Sequence, residues 1–360
     1  MDKVDVVVIG AGVVGAALAQ RFAANGKSVI VMEKHSRVAE GTTSRNSGVI
    51  HSGIYYPPES LKAKLCVRGK ELLYEWVRAH NVPYLMTGKA IVATNAAEEI
   101  TLAETFENAR RSGATAISMW DSRKLKSALP DVTGTTAMFA AETGIVDPFA
   151  YTASLLADAE ENGALTLTDC EVTALEPIAD GYRIESSRGP IEAALVLNAA
   201  GLYADEMARL AGIDKYKIYP CRGDYFRLRS TKRFPHLIYP VKAKGDSGLG
   251  IHLTIDLNGG FRLGPDTEYV DSKDDFCSAD HKLEKFRKAA EKLLGPLLAE
   301  QLEYDQCGIR PKLRSRHEPA EKDFVISQDA AGLVSFVGIE SPGLTSALAI
   351  AEFAEGILNI

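Results

Sequence analysis

The segment RNSGVIHSGIYYPPESLKAKLC, residues 45–66, concentrates side chains that could bind a ligand or move a proton. Arg45 offers a fork of donors, His51 has an ordinary pKa near neutrality, and Tyr55 and Tyr56 offer ring faces with hydroxyls. Glycines and prolines interrupt the segment so often that neither an amphipathic helix nor a long strand is expected. Donors crowded into irregular backbone predict a bound molecule that uses them. The structural alternatives are a packed His51 satisfied by backbone and tyrosines that belong to a core.

The residues before this segment predict a cradle for a dinucleotide. The predicted order is a strand at 6–9, the sequence GAGVVG at 10–15, a helix at 16–25, a strand at 28–32 and then Glu33. Gly10 permits a tight turn, Gly12 lets backbone approach a pyrophosphate, and Gly15 lets the helix pack closely on the strand. A carboxylate at Glu33 is placed to accept from ribose hydroxyls and would repel a 2′-phosphate. Val13, Val14 and Lys34 complete the contacts predicted here.

Three later segments favour FAD over NAD, because several separated segments suit a long, extended cofactor. A short strand at 169–175 is followed by a strand at 194–198 that runs into the small residues AAG at 199–201. A C-terminal strand at 333–338 leads through a turn to a helix at 346–358, whose N-terminus is a second dipole site. The contacts predicted in these segments are Val172, Ala200, Gly201, Leu202, Pro342, Gly343, Leu344 and Thr345.

The composition indicates a globular enzyme with room for two domains in its 360 residues. A formal net charge of −7 argues against nucleic acid as the main partner. The apolar run at 6–19 is broken by glycines and is too short to span a bilayer. Five scattered cysteines predict reduced thiols, and no metal site is predicted. We expect a cytoplasmic protein without an integral membrane segment, and peripheral membrane contact stays open.

At the level of whole motifs the chain resembles the D-amino-acid-oxidase-like family of FAD-dependent oxidoreductases. The matching stretches are the cradle at 4–33, NSGVIHSGIYYPPESLKAKLC at 46–66, FPHLIYPV…GLGIHLT at 234–254, CGIRP at 307–311 and SPGLTSALAIAEF at 341–353. The resemblance implies an α/β (α+β) fold, in which a Rossmann-like FAD-binding domain carries an inserted mixed or antiparallel sheet as a substrate-binding cap. We expect the FAD-binding domain at 1–81, 142–215 and 305–360, and the cap at 82–141 and 216–304.

The resemblance also assigns the opening segment, which would pass along the pyrophosphate and then beneath the flavin ring. The expected pyrophosphate donors are Thr42, Thr43, Ser44 and Arg45, and the expected flavin neighbours are Asn46, Ser47 and Gly48. His51 would hydrogen-bond the flavin, shuttle a proton or form a covalent flavin link, as a histidine does at a comparable place in some members. Tyr56, with Tyr55, would wall the substrate cavity.

Two residues in the second half carry the catalytic expectations. In relatives a histidine at the place of His252, in GIHLT, faces the flavin, where neutral imidazole can take a hydroxyl proton. In amino-acid-oxidising relatives the arginine that matches Arg310, in GIRP, holds the substrate carboxylate in its fork. The structural alternatives are an edge-strand histidine and an arginine that neutralises a glutamate or the flavin.

The implied reaction is oxidation of a small 2-hydroxy acid, resembling L-2-hydroxyglutarate, by hydride transfer to flavin N5. The proline after Arg310 departs from that group and resembles amine oxidases, so a glycine- or sarcosine-like donor is the alternative. A non-catalytic electron-transfer flavoprotein is a second alternative. Candidates for further anion contacts are Lys64, Arg222, Lys242 and Lys312, and a solvated charge is the alternative for each of them. The electron acceptor, whether quinone, oxygen or another protein, is left open.

Overall fold

The computed structural model describes residues 3–242, 248–318 and 320–358. The helices in these ranges are α1 Val13–Ala24, α2 Leu61–Ala79, α3 Ala96–Arg111, α4 Ser122–Ala128, α5 Pro148–Glu161, α6 Ala204–Leu210, α7 Leu283–Leu294 and α8 Gly343–Leu358. No helix within them is both long and apolar enough to traverse a lipid bilayer.

The strands fall into two large sheets and one small one. In chain order they are β1 Lys3–Ile9, β2 Val29–Met32, β3 Val49–Ile50, β4 Tyr84–Leu85, β5 Lys89–Ala93, β6 Ile117–Trp120, β7 Thr136–Ala140, β8 Gly144–Val146, β9 Leu165–Leu167, β10 Val172–Ile178, β11 Gly181–Ser186, β12 Ile191–Asn198, β13 Tyr219–Leu228, β14 Leu237–Pro240, β15 Leu253–Ile255, β16 Phe261–Leu263, β17 Glu268–Tyr269, β18 Leu302–Lys312, β19 Val325–Ala330 and β20 Leu333–Val337.

The first sheet is the Rossmann-like half of the molecule. Its main order is β10-β11-β12-β1-β2-β9, with β20 paired to β12 and β19 to β20. β1 lies between β12 and β2 and is parallel to both. Its buried run at 6–9 is continuous because helices or strands cover both faces, as in other parallel sheets. α1 packs between α5 and α8 over one face and fills the core with alanine, leucine and phenylalanine.

The second sheet is mixed and mostly antiparallel, as expected for the cap. Its order is β17-β13-β16-β15-β14-β5-β7-β6, with β18 paired along β13, and only β14 and β5 run parallel. The long β13–β18 pair sets Cys221 opposite Arg310 and Asp224 opposite Cys307. The third sheet is small and has the order β3-β8-β4. After β3 the chain enters the segment that leads to α2.

Two details differ from the expectations. Residues 305–312 belong to the cap sheet as part of β18, although they were expected in the FAD-binding domain. Pro311 does not end this strand because β18 pairs on one side only and faces Pro220, so no ladder hydrogen bond is lost. His252 lies just before β15 rather than within a strand from 248 to 254, since only Leu253–Ile255 pairs.

Candidate active site

A cavity of about 550 Å³ extends from the β1–α1 turn to the second sheet. The four residues expected to be catalytic, His51, Tyr56, His252 and Arg310, all line it. The lining also contains the expected cofactor contacts Gly10, Gly12, Val13, Val14, Glu33, Lys34, Thr42, Thr43, Arg45, Asn46, Ser47, Val172, Ala200, Gly201, Leu202, Pro342, Gly343 and Leu344. The fold therefore brings residues that are more than three hundred positions apart into one site.

The turn after β1 has the geometry of a phosphate cradle. Gly10 adopts φ of 100°, a left-handed conformation that favours glycine. A Cβ on Gly15 would lie 1.9 Å from the Gly10 carbonyl oxygen, so only glycine lets α1 approach the strand this closely. Gly15 itself is absent from the cavity lining and acts through this packing.

The N-terminus of α1 opens into the cavity without a capping side chain from its N-cap, Gly12. The Val13 amide donates to Thr43 Oγ1 at 3.1 Å, which ties the cradle to the following loop. Glu33 accepts from the Ala11 amide at 2.8 Å and from the His35 amide at 3.0 Å. A carboxylate has about four acceptor sites, so these bonds leave capacity for ribose hydroxyls.

The loop at 42–48 is held by its own side chains. Asn46 Nδ2 donates to the Thr43 carbonyl at 2.6 Å, and Asn46 Oδ1 accepts from the Gly48 amide at 2.7 Å. Ser44 is not part of the lining, because its hydroxyl bonds the local carbonyls of residues 40 and 41. The Arg45 guanidinium lies 4.2 Å from the Phe276 ring centroid. Its Nε is buried and has no hydrogen-bond partner.

His51 is fastened to the start of α8. Its backbone amide donates to Thr345 Oγ1 at 3.0 Å, and its Nε2 lies 3.2 Å from Ser341 Oγ. Thr345 is fully buried and does not line the cavity, so it orients His51 rather than a ligand. Burial, with Lys89 and His252 nearby, holds the pKa of His51 well below its usual value. The imidazole is therefore neutral at physiological pH.

His252 is the side chain best arranged to accept a proton. Its Nδ1 lies 2.8 Å from the Gly250 carbonyl oxygen, which can only accept, so Nδ1 carries the hydrogen. The other nitrogen, Nε2, then holds a free lone pair. The ring stacks on Tyr239 with centroids 3.8 Å apart. Burial, aided by the positive charges of Lys89 and Arg310, lowers the pKa of His252 to about 3.

Arg310 offers a cation to the cavity without a carboxylate partner. Its Nη2 donates to the Asp266 carbonyl at 2.9 Å, and its Nη1 lies 3.5 Å from the Arg222 carbonyl oxygen. Within the described residues these are backbone acceptors, and no acidic side chain pairs with the guanidinium. A Cβ on Gly223 would lie 2.5 Å from Arg310 Nη2, so the glycine makes room for the side chain. This cation is suited to an incoming carboxylate.

The second-carboxylate candidates proposed from sequence mostly have other partners. Lys64 pairs with Glu59 on the surface, Arg222 is held by Asp224, and Lys312 pairs with Glu340. Sequence does not reveal which acids these three side chains face. Lys242 and Lys312 both line the cavity.

Sequence reasoning missed three side chains of the site. The Tyr225 hydroxyl lies 3.1 Å from Ser47 Oγ and joins the cap to the FAD-side loop. Tyr239 supplies the ring under His252. Lys89 is 1% exposed, and its ammonium lies over the Tyr55 and Tyr239 rings, 5.1 Å and 4.8 Å from their centroids. The signal available for Lys89 was a lysine placed inside an otherwise apolar strand, KAIVA at 89–93.

The cavity fits FAD on three structural grounds. The N-terminus of α1, whose N-cap residue Gly12 has no side chain, faces the space between the first sheet and the loop at 42–47. A buried Arg45 Nε lacks a partner that a phosphate oxygen would supply. The site also continues past the cradle to His252, farther than a mononucleotide requires.

Comparisons with known proteins agree with this geometry. A family model described as DAO, FAD dependent oxidoreductase, matches residues 5–355. The mitochondrial L-2-hydroxyglutarate dehydrogenase of Arabidopsis thaliana is 36% identical, over 98% of this chain and 82% of that protein. The glycerol 3-phosphate dehydrogenase of Caloramator mitchellensis is 31% identical, over 99% of this chain and 74% of that protein.

Among solved structures, dithionite-reduced L-alpha-glycerophosphate oxidase from Mycoplasma pneumoniae, with FAD bound, is similar with a TM-score of 0.90. It is 26% identical and the match covers 100% of this chain and 96% of that one. Together the fold and the site define a flavin-dependent oxidoreductase. The chain belongs to the DAO family of FAD dependent oxidoreductases, and its cofactor is FAD.

Proposed function

We propose that this enzyme oxidises the hydroxyl-bearing carbon of a small 2-hydroxy acid, L-2-hydroxyglutarate, to the corresponding 2-oxo acid. The observation that carries the proposal is the pairing of a neutral His252 with the carboxylate-free cation of Arg310 in one cavity. The cation would hold the carboxylate next to the reacting carbon, and the imidazole would take the proton of its hydroxyl. Similarity to the L-2-hydroxyglutarate dehydrogenase of Arabidopsis thaliana supports the choice of acid.

Arg310 would perform the positioning step. Its guanidinium is already held by two backbone carbonyls, so its direction is fixed before a ligand arrives. A bidentate contact with a carboxylate would then fix both the position and the orientation of the adjacent carbon.

His252 would perform the proton step. Its Nε2 would accept the hydroxyl proton while the C–H bond of the same carbon breaks and the C–O bond becomes a carbonyl. A bound carboxylate would offset the positive charge of Arg310, which now lowers the proton affinity of His252. Substrate binding would therefore raise the pKa of the base toward the range in which it works best.

FAD would be held by the α1 N-terminus and Glu33 on its nucleotide side and by the loop at 42–47 and the α8 N-terminus on its other side. When bound, FAD supplies the acceptor for the hydride, which carries both electrons away from the substrate carbon. Covalent attachment through His51 stays a prediction, and the Ser341 and Thr345 contacts give His51 an orienting role that does not require it.

The two sequence-based alternatives receive less support. A glycine- or sarcosine-like donor was suggested by the proline after Arg310, but that proline reflects an edge-strand position facing Pro220. Relatives of at least 30% identity over most of the chain carry names of alcohol-oxidising enzymes. A purely electron-transferring flavoprotein would have no use for a buried base beside a carboxylate-binding cation.

The proposed partners are a small carboxylate substrate and an electron acceptor, which is quinone, oxygen or another protein. The domain boundaries, with β18 moved to the cap, and a cytoplasmic location are part of the same proposal.

Anaerobic flavin reduction against a panel of donors tests this function. The purified yellow holoenzyme should bleach with L-2-hydroxyglutarate and should not bleach with glycine, sarcosine or proline. Bleaching by the amines and not by hydroxy acids would overturn the choice of donor. Failure of every small molecule to bleach the flavin would favour the electron-transfer alternative.

A further inference from the structure

Lys89 is a buried cation that the reaction as described does not use. It lies on β5 between Ala140 of β7 and Leu237 of β14, on the face of the cap sheet that turns toward the site. The surrounding cluster is apolar and contains Ile91, Met138 and Tyr239. A charge in such a place is costly unless something compensates it.

No acidic side chain of the described residues compensates this charge. Within them the ammonium forms neither an ion pair nor a hydrogen bond, and its contacts are the ring faces of Tyr55 and Tyr239. Cation–π contacts recover only part of the hydration that a lysine loses on burial. Burial accordingly lowers the pKa of Lys89 to about 8.

Lys89 is nevertheless next to the reacting groups. The ring of Tyr239 contacts the Lys89 ammonium and also stacks on the His252 imidazole. Its charge acts on both imidazoles of the site, since it lowers the pKa of His51 and of His252. The lysine itself is not part of the cavity lining, so it acts through the tyrosine wall.

We propose that Lys89 is a positioning and specificity residue, whose uncompensated charge behind the Tyr55–Tyr239 wall makes the cavity select a substrate with a second negative group. The inference rests on the proposed function and deepens it, because Arg310 accounts for one carboxylate and the second needs a further counter-charge. The second carboxylate of such a substrate would supply the negative charge that no described acidic side chain provides for Lys89.

The pH dependence of binding identifies Lys89 among its neighbours. The titratable groups that interact with it are His51, Cys66 and His252, and the rings of Tyr55 and Tyr239 contact its ammonium. Burial raises the pKa of Cys66 to about 12 and raises the pKa of both tyrosines, while both histidines are neutral above their lowered pKa values. Lys89 is thus the group of this set that changes charge near pH 8.

The test measures binding of glutarate, a dicarboxylate that lacks the hydroxyl and cannot be oxidised, by perturbation of the bound-flavin spectrum. Butyrate serves as the monocarboxylate probe. In the wild type, glutarate affinity should fall as the pH rises through about 8, because Lys89 loses its charge there. Lys89→Met should weaken glutarate by about 10–100-fold, reduce the preference for glutarate over butyrate, and remove this alkaline limb.

Lys89→Arg and two other variants make the result specific. Lys89→Arg keeps a charge that does not titrate, so the limb near pH 8 should disappear while glutarate still binds. Lys242→Met, at a lysine that lines the cavity, should keep the limb. Lys70→Met removes a buried lysine of α2 that pairs with Glu142, and it should lower the melting temperature without moving the limb. Lys89→Met should melt no lower than the wild type, because it removes an uncompensated charge.

Two results would overturn the inference. One is a Lys89→Met enzyme that binds glutarate within about 3-fold of the wild type, below the effect expected for a nearby charge. The other is an alkaline limb in glutarate binding that survives in Lys89→Arg. This second result tests the inference even if Lys89→Met does not accumulate as holoenzyme. A wild type that shows the limb with glutarate and is not reduced by L-2-hydroxyglutarate would refute the proposed function and leave the inference standing.

Discussion

At the scale of single residues, Arg310 and His252 occupy one cavity and yet should fail in different ways when they are changed. In the proposed reaction Arg310, whose fork is held by backbone carbonyls, would position the carboxylate. His252, whose Nδ1 is engaged by the Gly250 carbonyl, would accept the proton through Nε2. Binding and proton transfer contribute separately to the rate, so kinetics can distinguish the two roles.

Arg310→Lys should weaken apparent substrate affinity by about one to three orders of magnitude, roughly 1.5–4 kcal/mol, with a smaller change in the limiting rate of flavin reduction. The lysine keeps the charge and loses the two-point contact. Stopped-flow reduction over a range of substrate concentrations measures both quantities. An unchanged affinity would mean that another cation holds the carboxylate.

His252→Ala should leave substrate binding nearly intact and slow flavin reduction by roughly 10²–10⁴-fold. The fall in rate on the acidic side, where His252 becomes protonated, should flatten in the variant because no base remains there to titrate. The pH profile of the limiting reduction rate is the measurement. A variant that reduces at the wild-type rate would move the base elsewhere, with His51 the next candidate.

Both residues were predicted from sequence because each stands in a motif, GIHLT or GIRP, that resembles a family pattern. It missed Lys89 and Tyr239 because burial and ring stacking are properties of the folded sheet. KAIVA reads as an ordinary strand until β14 and the loop after β3 are placed beside it.

At the scale of elements, two close approaches hold the site together. α1 touches β1 where Gly15 meets the Gly10 carbonyl, and β13 touches β18 where Gly223 leaves room for Arg310. The first approach shapes the cofactor cradle and the second shapes the substrate pocket. Substituting each glycine should therefore damage a different function.

Gly15→Ala should weaken retention of FAD, because its Cβ would fall 1.9 Å from the Gly10 carbonyl oxygen and α1 would have to move. Gly223→Ala should keep FAD and weaken substrate binding by about 10-fold, the loss of roughly one charged contact, because its Cβ would fall 2.5 Å from Arg310 Nη2. Flavin content per chain and substrate titration measure the two effects. Equal flavin loss in both variants would contradict this separation.

The elements of the cradle were predictable because hydrophobic runs, glycines and the terminal acid agree over 6–33. For the cap, the type of sheet was predictable, but the length and pairing of its strands were not. GIRP read as a short strand ended by proline, whereas β18 is eleven residues long. Its pairing with β13 is a long-range choice made by the partner strand, which local propensity does not encode.

At the scale of the whole molecule, a buried carboxylate joins the two halves around the cavity. Glu340, on the loop before α8, forms ion pairs of 3.1 Å with Lys62 of α2 and with Lys312 of the cap strand β18. These two ammonium groups hold the pKa of Glu340 at about 2, below its ordinary value, although burial acts in the other direction.

Glu340→Gln should lower the free energy of unfolding by about 1–3 kcal/mol at neutral pH, because it leaves two lysines without their shared acid. The folded-state pKa lies below the unfolded value, so the stabilisation is complete above about pH 4.5 and is lost as the pH falls toward about 2. Urea unfolding as a function of pH should show the difference between wild type and variant shrink over that interval. A constant difference across it would assign the loss to packing.

The central claim is that a dicarboxylate hydroxy acid reduces this enzyme. It is tested most directly by anaerobic single turnover with L-2-hydroxyglutarate and with glycerol 3-phosphate, the two donors named for its relatives. We predict that one equivalent of L-2-hydroxyglutarate bleaches the flavin and yields one equivalent of the 2-oxo acid, while glycerol 3-phosphate at the same concentration leaves the flavin oxidised. Bleaching by glycerol 3-phosphate with L-2-hydroxyglutarate inert would contradict the claim.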